Sequence, residues 1–358
     1  MIKFFIIHMT DSQYRGNNPK GRIDDFPAAM REKFREVFQM AKNILERNKF
    51  EHEVIIVHSG DLSDMPDMSD SVAGDFAEVL MESPVPIYVV PGNHDEFVHN
   101  LETVYRTKLG LLDRVKVLKV LGREPVRFWV GSKAKQIHLT GQGYHPDIDT
   151  TGEDYMAPEP QNNNDWIVHA VHGSLTPEPI YGPHTLIKNC KTNAHVVLTG
   201  HLHNGYGIAG KESINNKVIY NCISAQGPRE VGSIFSNPGA LARVDATPED
   251  MVRPVQVTVL EFTEDTATAT LVPLKCAKPG SEVLSREHIV KQTEREENMK
   301  KFLSLLNQEG EMKFLTAQEI IRNIADMKQV PKHLVDDVMR RIGKAREYLG
   351  REQRKVAG

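Results

Sequence analysis

Cysteine is scarce in this 358-residue chain. Its three cysteines, Cys190, Cys222 and Cys276, are odd in number and widely spaced. That argues against a disulfide framework and fits a reducing cytoplasm. No run of about 18 apolar residues occurs, so the sequence offers no membrane-spanning helix. The opening MIKFFIIHMTDS has one positive charge, no small-residue cleavage site and Asp11 close behind. It reads as a buried first strand and not as a signal peptide. A large excess of either charge is also missing. The net charge of −4 argues against a broad nucleic-acid-binding surface. The average hides one asymmetry, because residues 340–358 carry +5 and the remainder −9. Such a tail suits contact with phosphate or an acidic partner. It suits equally a solvated helix end whose cations face the negative pole of the helix dipole.

What is present is enough apolar side chain, 40% of the residues, for one large core with an appendage. Ile2 to His8 is a continuous apolar run, and residues 26–48 show helical spacing of Phe26, Met30, Phe34, Val37, Phe38 and Ala41. Further strands are predicted at 53–58, 86–90, 126–130, 136–140, 166–171 and 195–199, with a helix near 72–82. The βαβαβ order at the start implies a parallel sheet covered by helices. Later strands are expected at 217–223, 241–244, 255–262 and 267–274, the last two joined by a turn from Thr263 to Thr266. A second, largely antiparallel sheet is their natural home. Residues 146–165 read as a long surface loop.

The character changes near Lys278-Pro279-Gly280, which divides the chain into 1–277 and a helical region 278–358. One helix is expected over about 285–308. A second opens with the T-x-x-E capping box Thr316 to Glu319. A third, after Pro331, carries an apolar stripe of Leu334, Val338, Ile342, Ala345 and Leu349. The stripe suits docking on the chain's own domain or on a partner.

The chemistry-bearing residues fall at the ends of predicted strands, where open α/β sheets place their ligands. The first strand is followed by His8-Met9-Thr10-Asp11-Ser12-Gln13 and the second by Gly60-Asp61-Leu62-Ser63-Asp64. Next come Gly92-Asn93-His94-Asp95, then His172-Gly173, and finally Gly200-His201-Leu202-His203. A Gly-Asp pair alone is usually a turn. Carboxylates, imidazoles and an amide delivered by five successive strand ends suit two adjacent divalent metals.

This set resembles the calcineurin-like metallophosphoesterase signature and spans residues 8–203. The opening HMTDSQ resembles the H-T-S-D-x-H start of bacterial SbcD nucleases. YRGNNPKGRIDDF and SNPGALARVDATPEDMVRPVQVTVLEF are similar to phage-encoded members of that group. The resemblance implies a four-layer α/β/β/α sandwich with a C-terminal helical appendage. By matching positions, Asp61 is the bridging carboxylate. Asp11, Gln13 and His203 hold the first metal, and Asn93, His172 and His201 the second. His94 touches the substrate phosphate or leaving oxygen, with Asp95 or Asp64 as orienting carboxylates. The metals implied are two divalent ions, Mn2+ first, with Mg2+, Zn2+ or Fe2+ as alternatives. Gln13 stands where the family has histidine, which places occupancy of the first site in question.

The implied function is a DNA exo/endonuclease subunit of an SbcCD-like repair, recombination or replication complex in the cytoplasm (the host's, for a phage protein). The C-terminal helices would serve as a reduced cap or as the arm that reaches an SbcC/Rad50-like ATPase, and a homodimer is compatible. Two other readings compete. One is a phosphoesterase of the same fold acting on nucleotides or phosphoproteins. The other is a weakly catalytic DNA-binding scaffold subunit. Tyr14, Arg15, Lys20 and Arg22 suit either a DNA backbone contact or a solvated loop. His8 suits equally a supporting contact behind the site or a satisfied core histidine, and His145, His169 and His195 are assigned mainly to packing and hydrogen bonding.

Overall fold

The structure, a computed structural model, describes residues 2–47, 52–132, 135–160, 162, 164–210, 213–214, 217–221, 233–287, 295–301, 321–322, 324–326 and 328–342. Two compact units are present, Met1–His288 and Ile289–Gly358. The first unit runs past the Pro279-Gly280 break because the chain beyond it still packs there. Leu284 bridges to Arg22, and the Ser285 amide donates to the Gly21 carbonyl.

The strands in chain order begin with β1 (Phe4–Met9), β2 (Glu53–His58), β3 (Ile87–Val89), β4 (Lys119–Val120), β5 (Val126–Val130), β6 (Lys135–Gln142), β7 (Trp166–Val171) and β8 (Leu175–Thr176). They continue with β9 (Thr185–Leu186), β10 (Val196–Thr199), β11 (Gly207–Ala209), β12 (Ser213–Ile214), β13 (Lys217–Asn221), β14 (Ile234–Asn237), β15 (Gln256–Phe262) and β16 (Thr266–Pro273). One sheet has the order β12-β13-β16-β15-β1-β2-β3-β4, and a second has β11-β14-β10-β7-β6-β5. β8 and β9 form a separate small pair.

Alternation along β1 explains the layering. Phe4 and Ile6 face the second sheet and join Trp166, Val168, Val196 and Leu198 in the core between the sheets. Phe5, Ile7 and Met9 face outward against helix α1 (Phe26–Arg47) and helix α2 (Asp70–Met81). Helix α1 starts where Asp25 Oδ1 accepts the Ala28 amide and Pro27 occupies the first turn. On the far side, the second sheet is covered by Ile148, Tyr155 and Ala157 of the long loop, which contains a 3-10 turn over Glu153–Tyr155. The result is a mixed α/β sandwich of two sheets flanked by helical layers.

Two expectations about the later strands are corrected. β13, β15 and β16 do not belong to the second sheet. β15 pairs antiparallel with β1, β16 with β15 and β13 with β16, so these strands extend the first sheet beyond β1. The second sheet is parallel from β6 through β7 and β10 to β14, with antiparallel edges. Residues 241–244 form no strand, because the Leu241 and Ala242 amides go to the loop carbonyls of Thr10 and Asp11 instead of a neighbouring strand. The strand lies just upstream, at Ile234–Asn237.

In the second unit, residues 295–301 and 332–342 are helical. Leu334 and Val338 of the apolar stripe are exposed. The capping box at Thr316, and Ala345 and Leu349, lie outside the described residues. No described helix is long and apolar enough to cross a membrane.

Candidate metal centre

Register brings the five strand ends level. Met9 pairs with His58 and His58 with Val89 in the first sheet, while Thr199 pairs with Val171 in the second. The loops that leave these ends are then tied to one another. The Asp11 amide donates to the Gly60 carbonyl at 3.0 Å and the Gln13 amide to the Asp61 carbonyl at 2.9 Å. Asp95 fastens the next pair of loops. Its carboxylate accepts from the amides of Leu62 (3.1 Å), Ser63 (3.0 Å) and Gly92 (3.0 Å) and from the Ser63 hydroxyl (2.8 Å).

The turns are sharp enough to put side chains in the left-handed region. Asp11 (φ 50°), Gln13 (φ 41°), Asp61 (φ 53°) and His201 (φ 70°) all adopt positive φ. Each such residue costs of order 1–3 kcal/mol, and strain of this kind gathers at functional sites. Gly92 is required by close approach, since a methyl group there would overlap the Asp61 amide and carboxylate.

All seven residues expected to hold metal converge. The ligand atoms of Asp61, His172 and His201 lie within 4.8 Å of one another, and so do those of Asp11, Asp61 and His203. Asp61 is common to both trios. Asn93 Oδ1 stands 3.1 Å from His172 Nε2 and 3.0 Å from His201 Nδ1, which completes the second set. The Gln13 carboxamide lies 3.2 Å from His203 Nε2, in the first set.

Hydrogen bonds aim these groups. The His172 Nδ1 meets the Ser59 carbonyl at 2.7 Å, which turns Nε2 toward Asp61 at 3.5 Å. Asp11 Oδ2 accepts from the Thr10 hydroxyl (2.7 Å) and the His201 amide (3.1 Å). Its Oδ1 is buried with no hydrogen-bond partner and lies 3.6 Å from His203 Nε2. A buried carboxylate oxygen left bare beside an imidazole needs a cation.

The electrostatics agree. Burial alone would lower the His172 imidazole, but the charges of Asp61 and Asp11 more than offset it and push it up to about 9. Burial works against ionising Asp61, yet the imidazoles of His172 and His94 hold its carboxyl below the usual range. Burial raises Asp11. His201 is lowered to about 4 by burial and by neighbouring His172. The buried carboxylates thus favour positive charge in the cavity, which divalent ions can supply. An all-oxygen-and-nitrogen donor set fits two such ions.

His94 stands at the mouth, its side chain 39% exposed beside the 2% exposed Asp61. Its Nδ1 meets the backbone carbonyl of Asp64 at 2.8 Å. The orienting group is thus a carbonyl and neither expected carboxylate. The Asp64 side chain pairs with Arg15 at 3.2 Å, and Asp95 is occupied by the loops it fastens.

Other expectations divide. Tyr14 is buried and stacked on Phe76 at 4.0 Å, and Arg22 is buried against Asp24, so neither faces a DNA strand. Only Lys20 of that group is exposed without such a tie. His8 lies between Ser59 and Ser236 (2.8 and 3.1 Å), and His145 meets Asp154 at 2.9 Å. His195 Nδ1 accepts the Ile167 amide at 3.0 Å. Tyr144 was not anticipated. Its ring lies 5.5 Å from that of His201 and 6.3 Å from that of His172, walling the second metal set. The end of β6 was a legible strand end, and Gly143-Tyr144-His145 carried the signal.

Comparison with known proteins follows this geometry. A model of the calcineurin-like phosphoesterase family matches residues 6–205, more than half of the chain. No curated protein matches. Among solved structures, Haemophilus influenzae NAD nucleotidase is similar at 14% identity over 76% of this chain and 50% of its own, with a TM-score of 0.39. A Thermus thermophilus sulfate thiohydrolase is similar at 10% identity over 76% of this chain and 57% of its own, with a TM-score of 0.38. The chain spans about half the length of each.

Proposed function

The chain belongs to the calcineurin-like phosphoesterase family, and from that premise we propose that it is a manganese-dependent DNA nuclease, the hydrolytic subunit of an SbcCD-like complex. The observation that carries the reading is the meeting of two ligand trios at one carboxylate, Asp61, with the open His94 imidazole 4.0 Å from it. Two divalent ions, when bound, supply the positive charge that activates water and screens phosphate oxygens. The carboxylate and carboxamide oxygens suit manganese, while the imidazoles also suit iron or zinc.

The side chains divide the remaining work. Asp61 joins the two sets, while Asp11, Gln13 and His203 would hold one ion and Asn93, His172 and His201 the other. His94, fixed at Nδ1 by the Asp64 carbonyl, turns Nε2 toward the position of a leaving oxygen and serves there as a proton donor or hydrogen-bond donor. Tyr144 closes the side of the second set.

DNA as the substrate is supported by the resemblance of His8 to Gln13 to the opening of SbcD nucleases. A partner-binding arm is supported by the exposed Leu334 and Val338 on the helix over 332–342, an arrangement suited to a helix-in-groove contact with an ATPase coiled coil.

The test is manganese-supplemented hydrolysis of linear double-stranded DNA, beside a nucleoside monophosphate, a phosphopeptide and a small phosphodiester. The proposal expects cleavage of DNA and of the small diester, both abolished by Asp61→Asn with the circular dichroism spectrum unchanged. Turnover of nucleotides or phosphopeptide without DNA cleavage would leave a phosphoesterase of another substrate class. Retention of most turnover by Asp61→Asn would refute the two-metal assignment.

A further inference from the structure

Residues 240–243 run between the first metal set and a group of buried cations, and both edges of this strap are engaged. On one edge its amides hold the ligand loops. Ala240 donates to the His203 carbonyl at 2.8 Å, Leu241 to that of Thr10 at 2.9 Å and Ala242 to that of Asp11 at 3.1 Å. On the other edge each carbonyl is taken by a cationic side chain. Arg253 donates through Nη1 to Ala240 at 2.7 Å and through Nη2 to Ala242. Lys33 Nζ donates to Leu241 at 2.7 Å, and Arg22 Nη1 to Arg243 at 3.4 Å.

Those three cations are only 4% (Lys33), 7% (Arg22) and 8% (Arg253) exposed. Burying an ammonium or guanidinium is costly, and a neutral backbone amide would satisfy a carbonyl at far lower cost. What a charge adds is strength. It polarises the peptide group it binds and so strengthens the hydrogen bond from the next amide in the same strap. The recipients are the carbonyls of Thr10, through the Leu241 amide, and Asp11, through the Ala242 amide, and Asp11 is a ligand of the first metal. Asp11 is also one of the strained positive-φ residues, which persist only when the surroundings over-determine them. Among the described residues, no hydrogen bond joins 240–243 to Asn93, His172 or His201.

We propose that Lys33 and Arg253 are positioning residues for the first metal site. Acting through the Leu241 and Ala242 amides, they set how tightly Asp11 grips the first ion and leave the second site untouched. The inference rests on the two-metal reading above. It also accounts for an economy in the sequence: helix α1 and the Asp250–Arg253 turn, both remote from the strand ends, each send one cation to the same stretch of backbone. Asp250 holds Arg253 in place through its Nε.

The test is calorimetric titration of the whole chain with manganese chloride, comparing wild type with Lys33→Met, Lys33→Gln and Arg253→Lys. The step belonging to the first site is recognised by its response to Gln13→His. Lys33→Met, which strips the Leu241 carbonyl of its partner, should weaken that step by about 10-fold, the low end for loss of an outer partner. Arg253→Lys, which keeps the charge but reaches one carbonyl in place of two, should weaken it less. Lys33→Gln, which keeps a donor, should fall between wild type and Lys33→Met. The second step should not move in any variant. Equal weakening of both steps, or no change in either, would overturn the proposal and leave the cations as plain core supports. If Lys33→Met fails to fold, Lys33→Gln and Arg253→Lys decide the question by the same criterion. A wild-type protein that binds fewer than two ions would overturn the two-metal reading, and this inference with it.

Discussion

His94 donates its backbone amide to Asp61 Oδ1 at 2.9 Å and holds its imidazole Nε2 4.0 Å from Asp61 Oδ2. One residue thus serves the shared carboxylate twice, and only the second contact depends on its side chain. His94→Ala keeps the amide that fixes Asp61 and removes the imidazole at the mouth. It should lose roughly 100-fold or more in hydrolysis rate while metal content by elemental analysis barely changes. A matching loss of metal would make His94 a ligand.

The first metal set departs at one donor from the motif it resembles, which has histidine at the position of Gln13. Gln13 offers a neutral carboxamide 3.2 Å from His203 Nε2, a poorer ligand than imidazole for transition metals. The two sites should fill unequally, the first needing more metal. Gln13→His should lower the manganese concentration for half-maximal activity by about 10–100-fold, by analogy with the cost of losing outer ligand partners, and should raise the rate. Superimposable titration curves would show that Gln13 coordinates as well as histidine or is not a ligand.

His169 offers a pH test away from the ligands. It is fully buried in β7, with Nδ1 2.7 Å from the Thr140 hydroxyl and Nε2 3.0 Å from the Asp154 carbonyl. Burial lowers it from 6.5 to about 4. A depressed folded value means that the unfolded chain binds the proton first as the solution is acidified. The stabilisation is therefore complete above about pH 6.5 and is lost as pH falls toward 4. Denaturant midpoints measured across that window should fall less steeply for His169→Gln than for wild type. Parallel curves would mean that His169 does not titrate there.

Much of the site was legible because its residues follow strands that announce themselves. FFIIHM, EVIIVH and WIVHAV are apolar runs ending in polar clusters, and the expected ligand positions proved to be neighbours in space. The orienting group of His94 was not legible, because it is a backbone carbonyl, and every residue carries one. Asp95 looked like part of the chemistry by adjacency, yet its oxygens take four donors from neighbouring loops. The strap was misread for a related reason. Leu241 to Val244 has the composition of a strand, but only the folded structure shows that its partners are loop carbonyls and buried cations. The sheet assignment of β15 and β16 depends on which edge of β1 stays open, a non-local fact that alternation within a hairpin does not encode.

The most direct measurement of the central claim is anomalous scattering at the manganese edge from crystals grown with manganese. Two peaks should appear about 3.5–4 Å apart with Asp61 between them. One should be bounded by Asp11, Gln13 and His203 and the other by Asn93, His172 and His201. A single peak, or a pair that Asp61 does not touch, would contradict the two-metal centre described here.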